Sequence, residues 1–168
     1  MQQENKFTSK EAQHFLSSAI SSFRFRALMF FKIPLIWFSG ILVQQFSRGY
    51  CEVYLPFSRS TQNPFKSVYF AAQCMAAELS TGLPVMAETI ETGKKISMLV
   101  TGMNAHFFKK ADHTIIFTCD AKDVIINAIS EAQKSGEGIK FSLISTGIMK
   151  DGSKVAEFEF EWSIKVKA

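Results

Sequence analysis

The stretch NPFKSVYFAAQCMAAELSTG, residues 63–82, decides the fold of this chain. Read as a helix from Ser67, it carries apolar side chains around most of its circumference: Val68, Phe70, Ala71, Ala72, Met75, Ala76, Ala77 and Leu79. A helix that is apolar all round belongs in the core of a domain. Ser67 predicts the start of the helix, and Gly82 followed by Pro84 predicts its end, so we expect about four turns.

Glu78 is the one ionisable residue in the middle of this apolar surface. A low-dielectric environment disfavours the charged form of a carboxyl group, so the position is costly unless the group is paired or used. The helix alone leaves two interpretations open. Glu78 is either a functional group, or a charge that faces solvent or the seam of a dimer.

The segment resembles the central-helix signature of hotdog-fold acyl-CoA thioesterases of the phenylacetate-pathway and 4-hydroxybenzoyl-CoA types. In those families an Asn or Gln precedes the helix, a Gly follows seven residues later, and an acidic residue lies fifteen residues after the amide. Asn63, Phe70 and Glu78 take these three positions here. The chain departs from the pattern at the helix start, where it has Tyr69-Phe70-Ala71 and relatives often have His-Gly-Gly.

The resemblance implies an acyl-CoA substrate and assigns roles to the signature residues. Glu78 is the expected base or nucleophile, Asn63 is expected to orient water or the thioester, and the backbone N–H of Phe70 is expected to hold the carbonyl oxygen. Eight residues of helical rise separate Glu78 from the helix start by about 12 Å. The resemblance therefore implies a homodimer, or a tetramer of two dimers, in which each protomer's carboxylate serves the other protomer's helix start.

Other residues near Glu78 complete the predicted site. Thr81 is expected to fix the carboxylate by a hydrogen bond, unless its hydroxyl bonds its own helix backbone. Tyr69, Ala71 and Cys74 are expected to contact the substrate. The alternative function is a hotdog module that binds acyl-CoA or lipid without hydrolysis, which the bulky residue at the usual Gly position favours.

Other chemistry-bearing residues receive weaker support. Cys74 is an alternative nucleophile, but a buried Cys usually packs as a small hydrophobic residue and no His lies in the same segment. His106 and His113 are expected at the surface or in the core without a catalytic role. The pairs Lys94-Lys95 and Lys109-Lys110 are either solvated loop lysines or contacts for the phosphates of coenzyme A.

Composition limits the remaining function classes. With 168 residues, 47% apolar and 20% charged, the chain predicts one globular domain. A net charge of +4 without a basic arm or stripe gives no support for nucleic acid binding. Three cysteines without CxxC or His spacing predict neither a disulfide framework nor a metal site, so we expect no metal or cofactor and a reducing, cytoplasmic setting.

Residues 1–39 are expected to form an N-terminal helical extension of a hotdog domain at 40–168. Residues 9–26 predict one helix. The apolar stretch 27–46 is interrupted by Lys32 and Pro34, and its longest uncharged apolar run is too short to span a membrane. We expect it to pack on the fold or to line an acyl-binding cavity. Peripheral membrane contact, through basic residues near aromatic ones, is the alternative: Arg24, Arg26, Lys32, Trp37 and Phe38.

Alternating patterns predict an antiparallel sheet around the apolar helix, and hence an α+β hotdog fold. Strands are expected at 41–47, 50–57, 95–103 and 113–119, and a helix at 121–134. Asp151-Gly152 predicts a hairpin turn of the primed type. The strand after it alternates throughout, with one apolar face made by Phe158, Phe160, Trp162, Ile164 and Val166. Such a strand has one buried face and one solvated face.

Overall fold

The structure is a computed structural model and describes residues 6–167. Three helices come first: α1 (Lys10–Ile20), α2 (Ser22–Lys32) and α3 (Pro34–Ser39). Two strands follow, β1 (Leu42–Ser47) and β2 (Tyr50–Leu55), and then the long helix α4 (Phe70–Glu91). The last part of the chain contains β3 (Ile96–Phe107), β4 (Ile115–Asp120), α5 (Lys122–Ser135), β5 (Ile139–Met149) and β6 (Lys154–Val166).

The six strands form one antiparallel sheet in the order β1-β2-β4-β5-β6-β3. Helix α4 packs against β2, β4, β5 and β6, and α5 packs beside it after leaving β4. A sheet wrapped around one long apolar helix is the hotdog architecture that the sequence predicted. The predicted α+β fold class is therefore confirmed.

Strand β6 shows why the sheet folds around the helix. Its apolar residues Phe158, Phe160, Trp162 and Ile164 are buried, while the residues between them lie on the solvated face. The predicted hairpin joins β5 to β6, but the predicted turn type is wrong. The loop has four residues, and Gly152 has a positive φ of 83° whereas Asp151 does not. The Asp151 carboxylate accepts a hydrogen bond from the Ser153 N–H, which stabilises this longer loop.

The predicted start of the central helix is also wrong by three residues. Ser67 does not cap α4, because its N–H and hydroxyl both donate to the side-chain oxygen of Asn63 in the preceding turn. Tyr69 occupies the N-cap position with extended backbone angles and forms no side-chain capping bond. The first N–H groups of α4 are therefore left without a capping side chain.

The predicted end of the helix is wrong by nine residues, because Gly82 and Pro84 lie inside α4. Gly82 serves packing: a Cβ there would lie 3.2 Å from the ring of Trp162. Pro84 lacks an N–H and so deprives the Ser80 carbonyl of its usual donor. Burial of the surrounding turns outweighs this loss, and the Ser80 hydroxyl bonds Ser145 of β5 at 2.7 Å.

The N-terminal helices pack against the hotdog core. The single helix predicted at 9–26 is in fact two, because Ser21 ends α1 and its side chain caps α2 through the Arg24 N–H. The start of α1 is attached to the end of α4, where Glu91 accepts hydrogen bonds from the N–H groups of Thr8 and Ser9.

Candidate active site

Glu78 lies on the wall of an apolar cavity of about 430 Å³. Helices α1 and α2 form one side of this cavity, α4 forms the other, and single residues of β3 and β6 close it. The lining residues are Phe15, Ser18, Ala19, Phe25, Leu28, Met29, Lys32, Ile33, Glu78, Leu79, Gly82, Leu83, Met86, Met98 and Trp162. The N-terminal helices therefore line a cavity beside the central helix, as one of the sequence interpretations expected.

The Glu78 carboxyl group is in an unfavourable environment for a charge. Burial raises its pKa above the ordinary value for a glutamate. Within residues 6–167, no hydrogen-bond donor contacts the carboxylate. A partly buried acid without a partner is a common feature of catalytic sites, because a raised pKa makes the carboxylate a stronger base near neutral pH.

Thr81 does not fix the Glu78 carboxylate in this structure. Its hydroxyl donates to the backbone carbonyl of Glu78 at 2.9 Å, which is the alternative that the sequence left open. The same oxygen accepts a hydrogen bond from Nε1 of Trp162 at 3.2 Å. Thr81 thus holds in place an aromatic wall of the cavity.

The start of α4 presents two free backbone donors. Among the described residues, none accepts a hydrogen bond from the N–H of Phe70 or of Ala71. The Phe70 side chain is 56% exposed and its ring packs edge-on against Tyr69. The Phe70 side chain, at the position where the hotdog thioesterases that the sequence resembles have Gly, therefore extends into solvent. Free N–H groups at a helix start, with the helix dipole behind them, form a site for a partially negative oxygen.

Asn63 lies in the turn before α4 and is half-buried. Its side-chain oxygen accepts hydrogen bonds from the N–H groups of Phe65 and Ser67, at 3.0 and 3.3 Å. The amide nitrogen donates to no residue in the part of the chain that the structure describes. Asn63 can therefore orient a ligand only through this nitrogen while its oxygen keeps the turn closed.

The structure does not bring all predicted site residues together within one protomer. Phe70 and Glu78 are eight residues apart along the same helix, so about 12 Å of helical rise separates them. A single thioester carbonyl cannot contact both. Ala71 and Tyr69 lie with Phe70 at the helix start, whereas Cys74 and Thr81 lie within one turn of Glu78.

Gln73 is a candidate site residue that the sequence analysis missed. It lies in the first turn of α4, and its side chain is buried. Its amide nitrogen donates to the Val68 carbonyl at 3.2 Å, but its oxygen has no partner among residues 6–167. The sequence feature that could have identified Gln73 is that it is a lone polar amide in the apolar first turn of the helix.

The surroundings of the other candidate residues support a catalytic or binding role less well. Burial and the nearby Glu78 charge both raise the pKa of the Cys74 thiol, which opposes formation of a nucleophilic thiolate. His106 and His113 are exposed. Lys109 donates to Ser153 in the hairpin loop. Between residues 6 and 167, no cluster of three or more His, Cys, Asp or Glu side chains is arranged to hold a metal ion.

Lys110, in the loop between β3 and β4, lies beside the segment that leads into α4. The carbonyl of Ala111 accepts a hydrogen bond from the N–H of Val68 at 2.6 Å, two residues before α4 begins. Lys110 is therefore next to a segment that leads directly into the free donors of the helix. Its side chain is exposed.

Residues 22–164 match the model of a family described as Domain of unknown function (DUF4442). The chain belongs to the DUF4442 family. No curated protein matches it in sequence. The family match includes α2 and α3, so these two helices belong to the DUF4442 domain together with the hotdog sheet.

Solved structures confirm the hotdog fold of this DUF4442 chain. A Pseudomonas aeruginosa protein of unknown function, described as a probable thioesterase, is 23% identical with a TM-score of 0.71, over 84% of this chain and 93% of that one. The Haemophilus influenzae thioesterase HI1161 is 10% identical with a TM-score of 0.59, over 87% and 91% of the two chains. The Escherichia coli PaaI protein, from the phenylacetic acid degradation operon, is 10% identical with a TM-score of 0.61, over 90% and 96%.

Proposed function

We propose that this protein is an acyl-CoA thioesterase that uses Glu78 as its catalytic carboxylate. The observation that carries the proposal is the unpartnered Glu78 carboxyl on the wall of an apolar cavity. The cavity suits an acyl chain, because its lining is almost wholly hydrocarbon and aromatic. The fold shared with thioesterases of known structure supports the same chemistry.

The reaction needs a donor site for the thioester oxygen and a base for water. The N–H groups of Phe70 and Ala71 hold the carbonyl oxygen and stabilise the negative charge that develops on it. Glu78 removes a proton from water as the water attacks the carbonyl carbon, or it attacks that carbon directly, expels the thiolate and forms an acyl anhydride. In the second route water hydrolyses the anhydride, which frees Glu78 and the carboxylic acid, and a proton from that water passes to the thiolate. In the first route the thiolate of coenzyme A leaves, and the proton returns to it from Glu78. The products are a carboxylic acid and a thiol.

The active unit is a homodimer. The 12 Å between Glu78 and its own helix start is too long for one carbonyl, so the donors and the carboxylate come from different protomers. Strand β3 supports this assembly, because it is a twelve-residue edge strand with Leu99 and Met103 exposed. An edge strand of this length pairs readily with another chain. The exposed Lys110 then contacts a phosphate of coenzyme A.

Thiol release from a panel of short, long and aryl acyl-CoA substrates tests the proposal. We expect Glu78→Gln to lower kcat by about 10²- to 10⁴-fold, the usual contribution of a general base, while substrate still binds. The exposed Glu131 on α5 provides the matched control, and Glu131→Gln should retain full turnover. Equal turnover by Glu78→Gln and wild type would refute the catalytic role.

The second candidate function is a module that binds an acyl chain without hydrolysing it. The cavity favours this function to the same degree, because an apolar lining holds an acyl chain whether or not a reaction follows. Acyl-CoA would then raise the melting temperature of the wild-type protein, and no substrate in the panel would release thiol. In that case Phe70, at the usual Gly position, is the residue to replace first.

A further inference from the structure

Helix α2 is apolar on both of its sides. Phe25 and Met29 are buried and line the cavity. On the opposite side, Phe23 is 84% exposed and Phe31 is 80% exposed. Phe30 lies seven residues after Phe23 and therefore on the same side of the helix. Burial of the inner side explains the first set of residues, but Phe23 and Phe31 remain largely exposed to water.

The exposed surface continues onto α3. Leu35 and Phe38 are 63% and 64% exposed. Edge-on ring contacts connect Phe31 to Phe30, Phe30 to Trp37, and Trp37 to Phe38. We refer to Phe23, Phe30, Phe31, Leu35 and Phe38 as the α2–α3 face. Soluble proteins rarely expose so many large apolar side chains side by side unless the surface has a binding partner.

The charged side chains of the segment that carries the α2–α3 face are all positive. Residues 12–51 contain four of the nineteen Lys and Arg residues and none of the fifteen Asp and Glu residues, so this segment carries the whole net charge of +4. Arg24 and Lys32 are exposed, and the Arg26 guanidinium lies 5.4 Å from the centre of the Trp37 ring. This combination of aromatic side chains, arginine and lysine complements an anionic surface with an apolar interior.

We propose that the α2–α3 face binds the surface of an anionic lipid bilayer. The phenylalanines enter the boundary between headgroups and acyl chains, and Arg24 and Lys32 contact the anionic headgroups. The cavity supports a lipid partner, because Leu28, Lys32 and Ile33 line it and are also exposed beside the α2–α3 face. The cavity therefore opens where the protein contacts the bilayer. The sequence alone favoured packing of this segment on the fold, and the exposure of these residues changes that expectation.

Sedimentation with vesicles tests the proposal independently of any catalytic activity. Wild-type protein should sediment with vesicles of phosphatidylcholine and phosphatidylglycerol, and much less with vesicles of phosphatidylcholine alone. Phe23→Ser together with Phe31→Ser should weaken binding by about tenfold for each side chain removed. Arg24→Gln should weaken it by about fivefold, and added salt should weaken it further.

The matched control is Phe65→Ser, which removes an equally exposed phenylalanine outside the α2–α3 face and should leave vesicle binding unchanged. Melting temperatures of all variants should equal that of the wild type, because each changed side chain is exposed. Three results would each overturn the proposal. The first is that the wild type sediments with neither kind of vesicle. The second is that the double variant sediments as much as the wild type does. The third is that the wild type is an oligomer and the double variant is a smaller species. The last result would make the α2–α3 face an interface between copies of this chain.

Discussion

At the scale of single residues, Glu78 lowers the stability of the domain that holds it. Its raised pKa means that the folded state favours the neutral form, so deprotonation costs folding free energy. The domain is therefore most stable, as far as this group is concerned, below pH 4.5, and it loses that stability as the pH rises through the pKa of the folded state. A residue that is kept at a cost in stability is characteristic of a functional site.

Glu78→Gln should consequently be more stable than the wild type at pH 7. The amide keeps the shape of the side chain and removes the charge, and Tm should rise by about 2–4 °C for each kcal/mol released. The difference should disappear below pH 4.5, where the wild-type carboxyl is protonated. Thermal unfolding monitored by circular dichroism across this pH range measures it. An unchanged Tm at pH 7 would mean that the carboxylate is well solvated.

Phe70→Pro tests the backbone donor at the start of α4 without removing the helix. Proline is well tolerated at the first helical position, and Tyr69 already has the extended angles that precede a proline. We expect kcat to fall by about 10²- to 10³-fold, the loss associated with one donor to a developing oxyanion. Phe70→Gly is the control, because it keeps the N–H and should remain active. Loss of activity in both variants would point to the Phe70 ring instead.

At the scale of elements, the end of α4 holds the helix that closes the cavity. Burial would raise the pKa of Glu91, but hydrogen bonds from Thr8 and Ser9 outweigh this effect and lower it to about 2. The hydrogen bonds to the Glu91 carboxylate thus contribute their full stability to the attachment of α1 above pH 4.5, and this contribution is lost as the pH falls towards 2. At neutral pH, the start of α1 stays fixed on α4.

Glu91→Ala should loosen α1 and with it one side of the cavity. We expect the KM for long acyl-CoA substrates to rise by about fivefold, the effect of the ~1 kcal/mol that exposed charge-assisted hydrogen bonds contribute. Short substrates do not reach α1 and should keep their KM. Steady-state kinetics over a series of chain lengths measures this split, with Glu131→Ala as a control on α5. A uniform rise for all lengths would show that α1 does not contact the acyl chain.

The elements also show what the sequence could predict. The alternation of apolar and polar residues was sufficient to predict strand β6, because a strand with one buried face repeats every two residues. The end of α4 was not predictable from Gly82 and Pro84, because tertiary packing decides what both residues do. Gly82 leaves room for the ring of Trp162, and Pro84 costs only a single hydrogen bond within a buried helix. The cavity could be predicted only as one of two alternatives for residues 27–46, because its two sides are about fifty residues apart in sequence and the pattern does not show which residues of α4 face it.

At the scale of the whole molecule, the proposed site depends on which protomer supplies each group. Glu78 could be proposed from the sequence, because a lone carboxylate conflicts with its apolar surroundings. Its distance from the free N–H groups of Phe70 and Ala71 followed from helical rise alone. The orphan oxygen of Gln73 was not predictable, because it depends on the contacts that surround a buried amide.

Mixed dimers of Glu78→Gln and Phe70→Pro chains test the shared site. Each variant alone should be nearly inactive. In a mixed dimer one of the two sites regains both an intact helix start and an intact carboxylate. Random mixing of a twofold-symmetric dimer should therefore restore about a quarter of wild-type turnover. Exchange of subunits before the thiol-release assay provides the measurement. No recovery after confirmed exchange would show that each protomer uses its own carboxylate.

Pro84 has a consequence for how α4 opens in solution. Because the Ser80 carbonyl lacks its helical donor, the backbone hydrogen-bond ladder of α4 has a gap near its middle, with one stretch of the helix before the gap and one after it. The first stretch carries Phe70 and Glu78, and the second carries Glu91. Local unfolding can then release the second stretch together with α1 while amide protons in the first remain protected from exchange. A long ligand could thus enter the cavity through partial unfolding of the N-terminal region, while the stretch of α4 that carries Glu78 is still folded.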